Sequence, residues 1–305
     1  MNTRFQIALI LAALVVFATT FSLATRPSRG QSTNSKTASP VKPTVLITER
    51  NSPSKSNLSS SFAGAAARNA ILRNELIWTF GRKLQRGWYL YDLLISQTLK
   101  TDSDTSTPEF AEALANWQQR TGLEPSGALD EDSFMAMVSE WQGNRLKSRT
   151  LAEPHQLVTL PATDFYDLER LVELRQVERN AYVAYKEMIA AALADPRLKL
   201  DRNEPNDLAP TERFFKIISS FRTREYQEWL RQRSPNAGSA GLAVNSPHFT
   251  GRALDIYVGG DPVDTRDSNR AIQVNSPAYK WLVRNAERFG FRPYFYEPWH
   301  WEYVR

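Results

Sequence analysis

His248, Asp255 and His300 are residues of the types that hold a divalent metal, and Glu297, three positions before His300, is a carboxylate placed to work beside one. Only three histidines occur in 305 residues, and two of them belong to this group. A hydrolytic zinc site takes three protein ligands and leaves one coordination position for water. A His/His/carboxylate set with a further, unligated carboxylate nearby meets that requirement. The chain has no cysteine, so any metal must be held by imidazole and carboxylate, and neither disulfides nor thiolate chemistry are available to it.

The elements around these residues must bring them together. Arg252 to Val258 alternates as a strand carrying Asp255, whereas His248, separated from it by six residues, starts in a Ser246-Pro247 loop that can fold it over the aspartate. Glu297 and His300 would face opposite ways on a regular strand, and Pro298 disfavours a helix, so a bulge or bend at Pro298 is expected. Phe214 to Phe221 reads as a buried strand that delivers Arg222 at its end. Ser276 as N-cap, Pro277 at N1 and Gly290 past the end bracket a helix with Ala278, Trp281, Leu282 and Phe289 on one face. A long amphipathic helix is expected from Thr163 to Asp195, capped by Asp164, with Leu168, Leu171, Tyr182, Tyr185 and Met188 on its apolar face. The fold class this predicts is α+β: a small antiparallel sheet flanked by helices, preceded by a small all-α domain.

Further upstream, residues 1–24 pair a short basic start with an apolar run and a small-residue exit, the pattern of an export signal or, if retained, a membrane anchor. Either reading places the remainder in the periplasm or cell envelope, and a membrane is met only through this segment. Residues 25–63, rich in Ser, Thr, Pro and Asn, read as a disordered tether. Residues 64–145 carry helical patterning, with Ile71, Leu72, Leu76, Ile77 and Phe80 as one stripe and Phe110, Leu114 and Trp117 as another. Residues 146–162 read as a linker containing a solvent-exposed His155, and 163–305 as the domain bearing the metal set. The net charge of +5 is scattered among acids without a basic, aromatic-studded stripe, which argues against nucleic acid as a partner.

Two resemblances sharpen this. Phe110-x3-Leu114-x2-Trp117-Gln118-x3-Gly122-Leu123-x3-Gly127-x-Leu129-Asp130 resembles the small helical peptidoglycan-binding domain found beside wall hydrolases. If it concentrates the protein on a polymer, its deletion should spare hydrolysis of small soluble peptides. Ser246-x-His248-x-x-Gly251-x-Ala253-x-Asp255, followed by Glu297-x-Trp299-His300-x-Glu302-Tyr303, is similar to the zinc D-alanyl-D-alanine carboxypeptidases of the VanY type, within the group of lysostaphin-like and Hedgehog-type zinc folds. Ser219-Ser220-Phe221-Arg222-Thr223 with Gln227 resembles that family's SGYRS-x-x-x-Q signature, Ser and Phe standing for Gly and Tyr.

The resemblance implies one Zn2+ held by His248, Asp255 and His300, with Glu297 as general base and then acid, and Arg222 steadying the scissile carbonyl and its oxyanion. The substrate it implies is a peptidoglycan stem peptide ending in D-alanine, along which Ser246, Gln227, Arg252 and Trp299, with Arg222, are expected: Arg252, beside the ligand motif, in a pocket for the peptide C-terminus, and Trp299 as a wall of the site. Glu302 competes with Glu297 for the acid–base role. An L,D-carboxypeptidase, an endopeptidase with the same site, and a non-catalytic zinc-containing wall-binding module are the competing functions.

Overall fold

The computed structural model describes residues 55–233 and 242–305. The export or anchor segment and most of the expected tether lie outside the described residues. Helix α1 (Lys55–Glu75) begins within that tether and ends before a hairpin of β1 (Ile77–Phe80) and β2 (Lys83–Arg86). The expected all-α domain is corrected here. Trp78 is buried while Ile77 and Thr79 face out, a period of two, and Gly81 and Arg82 both take positive φ (56° and 67°), which suits a two-residue turn between twisted strands. Three helices follow: α2 (Asp92–Leu99), α3 (Pro108–Thr121) and α4 (Glu131–Gly143). Their starts follow from sequence, since Thr107 accepts the Phe110 N–H ahead of Pro108, and Asp130 accepts that of Ser133.

Short strands β3 (Leu157–Thr159), inside the expected linker, and β4 (Gln176–Glu178), inside the expected long helix, pair antiparallel. Helix α5 (Arg179–Leu193) starts only at Arg179, capped by Glu178, so the helix expected from Thr163 is shorter by its first half. Asp164 does not cap it; its carboxylate instead accepts from Tyr182 Oη of α5 at 2.9 Å, tying the preceding loop to the helix side. After the small β5 (Arg202–Glu204) and β6 (Asp207–Leu208) come β7 (Ile217–Ser219), α6 (Arg224–Arg233), β8 (Ala253–Ile256), α7 (Asp267–Asn275) and α8 (Pro277–Asn285). Helix α8 has Ser276 as N-cap, and the following turn closes at Gly290. Strands β9 (Phe291–Tyr294) and β10 (Glu297–Tyr303) complete a four-stranded antiparallel sheet of order β7-β8-β10-β9. Helices and small antiparallel sheets are thus mixed, and among the described residues no helix is long and apolar enough to cross a membrane.

One face of the sheet packs Leu254, Ile256, Trp299 and Trp301 against Tyr185, Met188 and Ile189 of α5 and Leu282 of α8. A second core gathers Trp78, Trp88, Phe110 and Phe134, and it includes Tyr294 at the end of β9 with Phe295 and Tyr296 from the β9–β10 connection. The upstream helices therefore share their interior with the sheet, and Lys55–Arg305 is one compact unit. The conspicuous Gln118 has a structural task there. Fully buried, it accepts the Gly127 N–H at 2.9 Å and donates to Ala128 O at 3.0 Å, fixing the turn ahead of α4.

Candidate metal centre

Strand register brings the first pieces together. His300 of β10 pairs with Asp255 of β8, and Ser219 of β7 pairs with the same Asp255. His248 arrives on a 3-10 turn, Pro247–Thr250, capped by Ser246 Oγ, which accepts the His248 N–H at 3.3 Å. The turn ends at Gly251 with φ +66°, where a Cβ would lie 2.9 Å from the backbone nitrogen of Glu178. Only glycine allows that turn to sit against β4. His248, Asp255 and His300 thereby offer ligand atoms within 4.8 Å of one another, all three residues buried. The bulge expected near Pro298 is present: the β9–β10 register shifts between Glu297 and Trp301.

The hydrogen bonds assign the ring nitrogens. His248 Nδ1 lies 2.7 Å from Ser220 O, and since a carbonyl only accepts, Nδ1 carries the hydrogen. Burial and the nearby Arg222 push the His248 pKa down to about 4, so the ring is neutral and its bare Nε2 faces Asp255 Oδ1 at 3.3 Å. Two lone pairs so opposed call for a cation between them. His300 Nε2 meets Glu302 Oε1 at 3.2 Å, and its Nδ1 meets the same Asp255 Oδ1 at 2.9 Å. Burial opposes charge on His300, yet its contacts with Asp255 and Glu302 prevail and lift its pKa to about 9. Both rings thus point one nitrogen at Asp255 and anchor the other outward, as metal-ligating histidines do. The donor set fits a zinc ion.

The two candidate acids differ sharply. Glu297 is buried, one carboxylate oxygen has no partner among the described residues, and desolvation pushes its pKa up to about 8 despite the opposing influence of His300. Glu302 is fully buried too, but it accepts from Arg145, Arg149, the Leu146 N–H and His300. Against its burial, the contact with His300 and the charges of His300, Arg145 and Arg149 hold it far below the usual carboxylate range. A group so bound is an anchor, whereas Glu297 is able to take and give a proton near neutral pH.

The stretch that carries all of this can be compared with known families. Residues 206–305 match the VanY family of D-alanyl-D-alanine carboxypeptidases. The match spans the C-terminal third of the chain, from β6 onward. Among curated proteins no sequence matches the chain. A solved structure, that of the LdcB LD-carboxypeptidase described as revealing the molecular basis of peptidoglycan recognition, shares 23% identity over 50% of this chain and 69% of its own, with a TM-score of 0.34.

Of the other expected site residues, Arg222 and Gln227 border the cluster. Arg222 donates to Asp255 Oδ2 at 2.8 Å, to Ser219 Oγ at 3.0 Å and to Gln227 Oε1 at 3.3 Å, leaving two of its five N–H groups uncommitted among the described residues. Two expectations are corrected. Arg252, three residues before Asp255, falls on the opposite strand face and lies over the Tyr303 ring at 5.1 Å, away from the cluster. Trp299 is 2% exposed and belongs to the core under the sheet with Trp301, so it does not wall the site. His155 is exposed and takes no part. Sequence reading missed Ser220 O, a main-chain group with no signature, and the arginines at 145 and 149, which lie far upstream.

Proposed function

We propose that this chain is an exported zinc metallocarboxypeptidase that removes the terminal D-alanine from peptidoglycan stem peptides. The observation that carries the reading is the bare His248 Nε2 opposed to Asp255 Oδ1, with the unpartnered carboxylate of Glu297 close by. The VanY match over the same residues supports the substrate class. His248 Nε2, Asp255 Oδ1 and His300 Nδ1 would hold the ion. Once bound, zinc would supply Lewis acidity toward the scissile carbonyl and lower the pKa of water at the site.

The chain's own groups do the rest. Glu297, through its free carboxylate oxygen, takes the proton of the attacking water and returns it to the departing amine. Asp255 is oriented by its Oδ2 bond to Arg222, and the uncommitted N–H groups of Arg222 face developing negative charge on the substrate carbonyl. Ser246 and Gln227 fix the His248 turn and Arg222 from beneath. Residues 1–24 serve export or anchoring in the envelope, and the upstream helices contact the wall polymer.

Digests of defined muropeptides decide the matter. The zinc-loaded protein should shorten a pentapeptide stem by one alanine and leave tri- and tetrapeptides intact, as read by mass spectrometry. Loss of alanine from the tetrapeptide alone would make it an L,D-carboxypeptidase, internal cleavage an endopeptidase, and no cleavage of any stem would leave only a binding role.

A further inference from the structure

Glu302 is held by residues from far upstream in the chain. Arg145 Nε donates to its Oε1 at 3.1 Å and Arg149 Nη1 to the same oxygen at 3.1 Å, while the Leu146 N–H reaches Oε2 at 2.9 Å. The Arg145 contact spans 157 residues. On its other side, Glu302 Oε1 accepts from His300 Nε2 at 3.2 Å. Arg145 also lies 3.8 Å over the Tyr294 ring, and Tyr294 stands edge-on to the His300 ring with centroids 5.9 Å apart. The imidazole is therefore steadied along its outer nitrogen and along its flank, and both supports lead back to Arg145.

An imidazole ligand is useful only if its ring is fixed, and it is fixed by the acceptor of its outer N–H, which must itself be held. Here the acceptor is fixed by the segment leaving α4, which lies outside the residues matched by the carboxypeptidase family. We infer that Arg145, with Arg149 and the Leu146 N–H, positions the metal ligand His300 through Glu302, so that the upstream helical part completes the metal centre. This rests on His300 being a metal ligand. The role goes beyond wall binding: the helices would be a working part of the catalytic unit.

The test is a double-mutant cycle on the full chain, read as zinc affinity by competition with a chromophoric chelator and as the visible absorption of the cobalt(II) form. Arg145→Met, which keeps an apolar stem over Tyr294, should weaken zinc binding by roughly 10- to 100-fold and shift the cobalt bands. In a Glu302→Ala background the same substitution should have almost no further effect, because the link is already cut. An Arg145→Met protein with unaltered zinc affinity, or one whose loss is undiminished in the Glu302→Ala background, would overturn the inference. Should Arg145→Met not fold, Arg149→Met carries the same cycle with a smaller expected loss. Absence of zinc binding by the unaltered chain would instead overturn the ligand reading of His248, Asp255 and His300.

Discussion

Without a bound cation, the 2.9 Å contact between His300 Nδ1 and Asp255 Oδ1 requires a proton, and it is this proton that a metal displaces. The His300 pKa of about 9 then sets a pH dependence. Apparent zinc affinity should rise about tenfold per pH unit while one proton is released, and level off above the His300 pKa; a flat profile in competition titrations would contradict this. Stability of the metal-free protein should run the other way. The proton held by His300 stabilises the fold below the unfolded imidazole value of 6.5, and that contribution is lost as pH rises through about 9. Glu297 acts in the same sense, because an unfolded glutamate ionises near 4.5 whereas the buried one resists until about 8. Below 6.5 this is offset by His248, whose depressed pKa of about 4 favours the fold as pH rises, so the metal-free melting temperature should fall from near-neutral to alkaline pH, and Glu297→Gln should flatten the part of that fall below about 8. The same variant should keep zinc yet lose at least ~100-fold in turnover, whereas His300→Ala should lose stoichiometric zinc by metal analysis. A fully active Glu297→Gln protein would mean that the acid–base role lies elsewhere.

Strand β10 and the His248 turn do most of the positioning. Gly251→Ala should cost roughly 1–3 kcal/mol in denaturant unfolding, because a Cβ there meets β4 backbone in a left-handed conformation. The accompanying displacement of His248 should weaken zinc binding, and unchanged stability would remove the packing argument. Much of this was legible beforehand. Asp255 on a strand, the break at Pro298 and the cap at Ser276 follow from local rules that need no tertiary context. What misled was local patterning with two solutions. Ile77 and Phe80 continue the helical stripe of α1, yet Gly81 and Arg82 make a hairpin there. Leu168 and Leu171 look like the start of a helix face, but they are exposed ahead of β4, and after the buried Phe165 continuous packing resumes only with Val177. Trp299 and Trp301 alternate correctly as one face, but which face meets the core depends on α5 and α8, and no window around β10 holds that information.

At the scale of the whole chain, the β9–β10 connection is where the upstream helices and the sheet become one body. Phe295 packs against Phe80 with ring centroids 4.8 Å apart and against Tyr91 at 5.5 Å. Phe295→Ala should cost about 3–5 kcal/mol, and calorimetry should show a single transition both before and after. Two separate transitions would mean that the helices fold independently of the sheet, in which case their removal could spare hydrolysis of soluble peptides. The span from Arg145 to Glu302 bears on time as well as strength. Contacts that close a loop of 157 residues tend to form late, after nearer pairings have narrowed the search. A centre finished so late is absent from the folding transition state, and an ion that recognises only the finished centre cannot hasten folding. Refolding should proceed at nearly the same rate with or without zinc, while unfolding slows by close to the whole factor of its binding, so that the metal acts as a latch on leaving the native state.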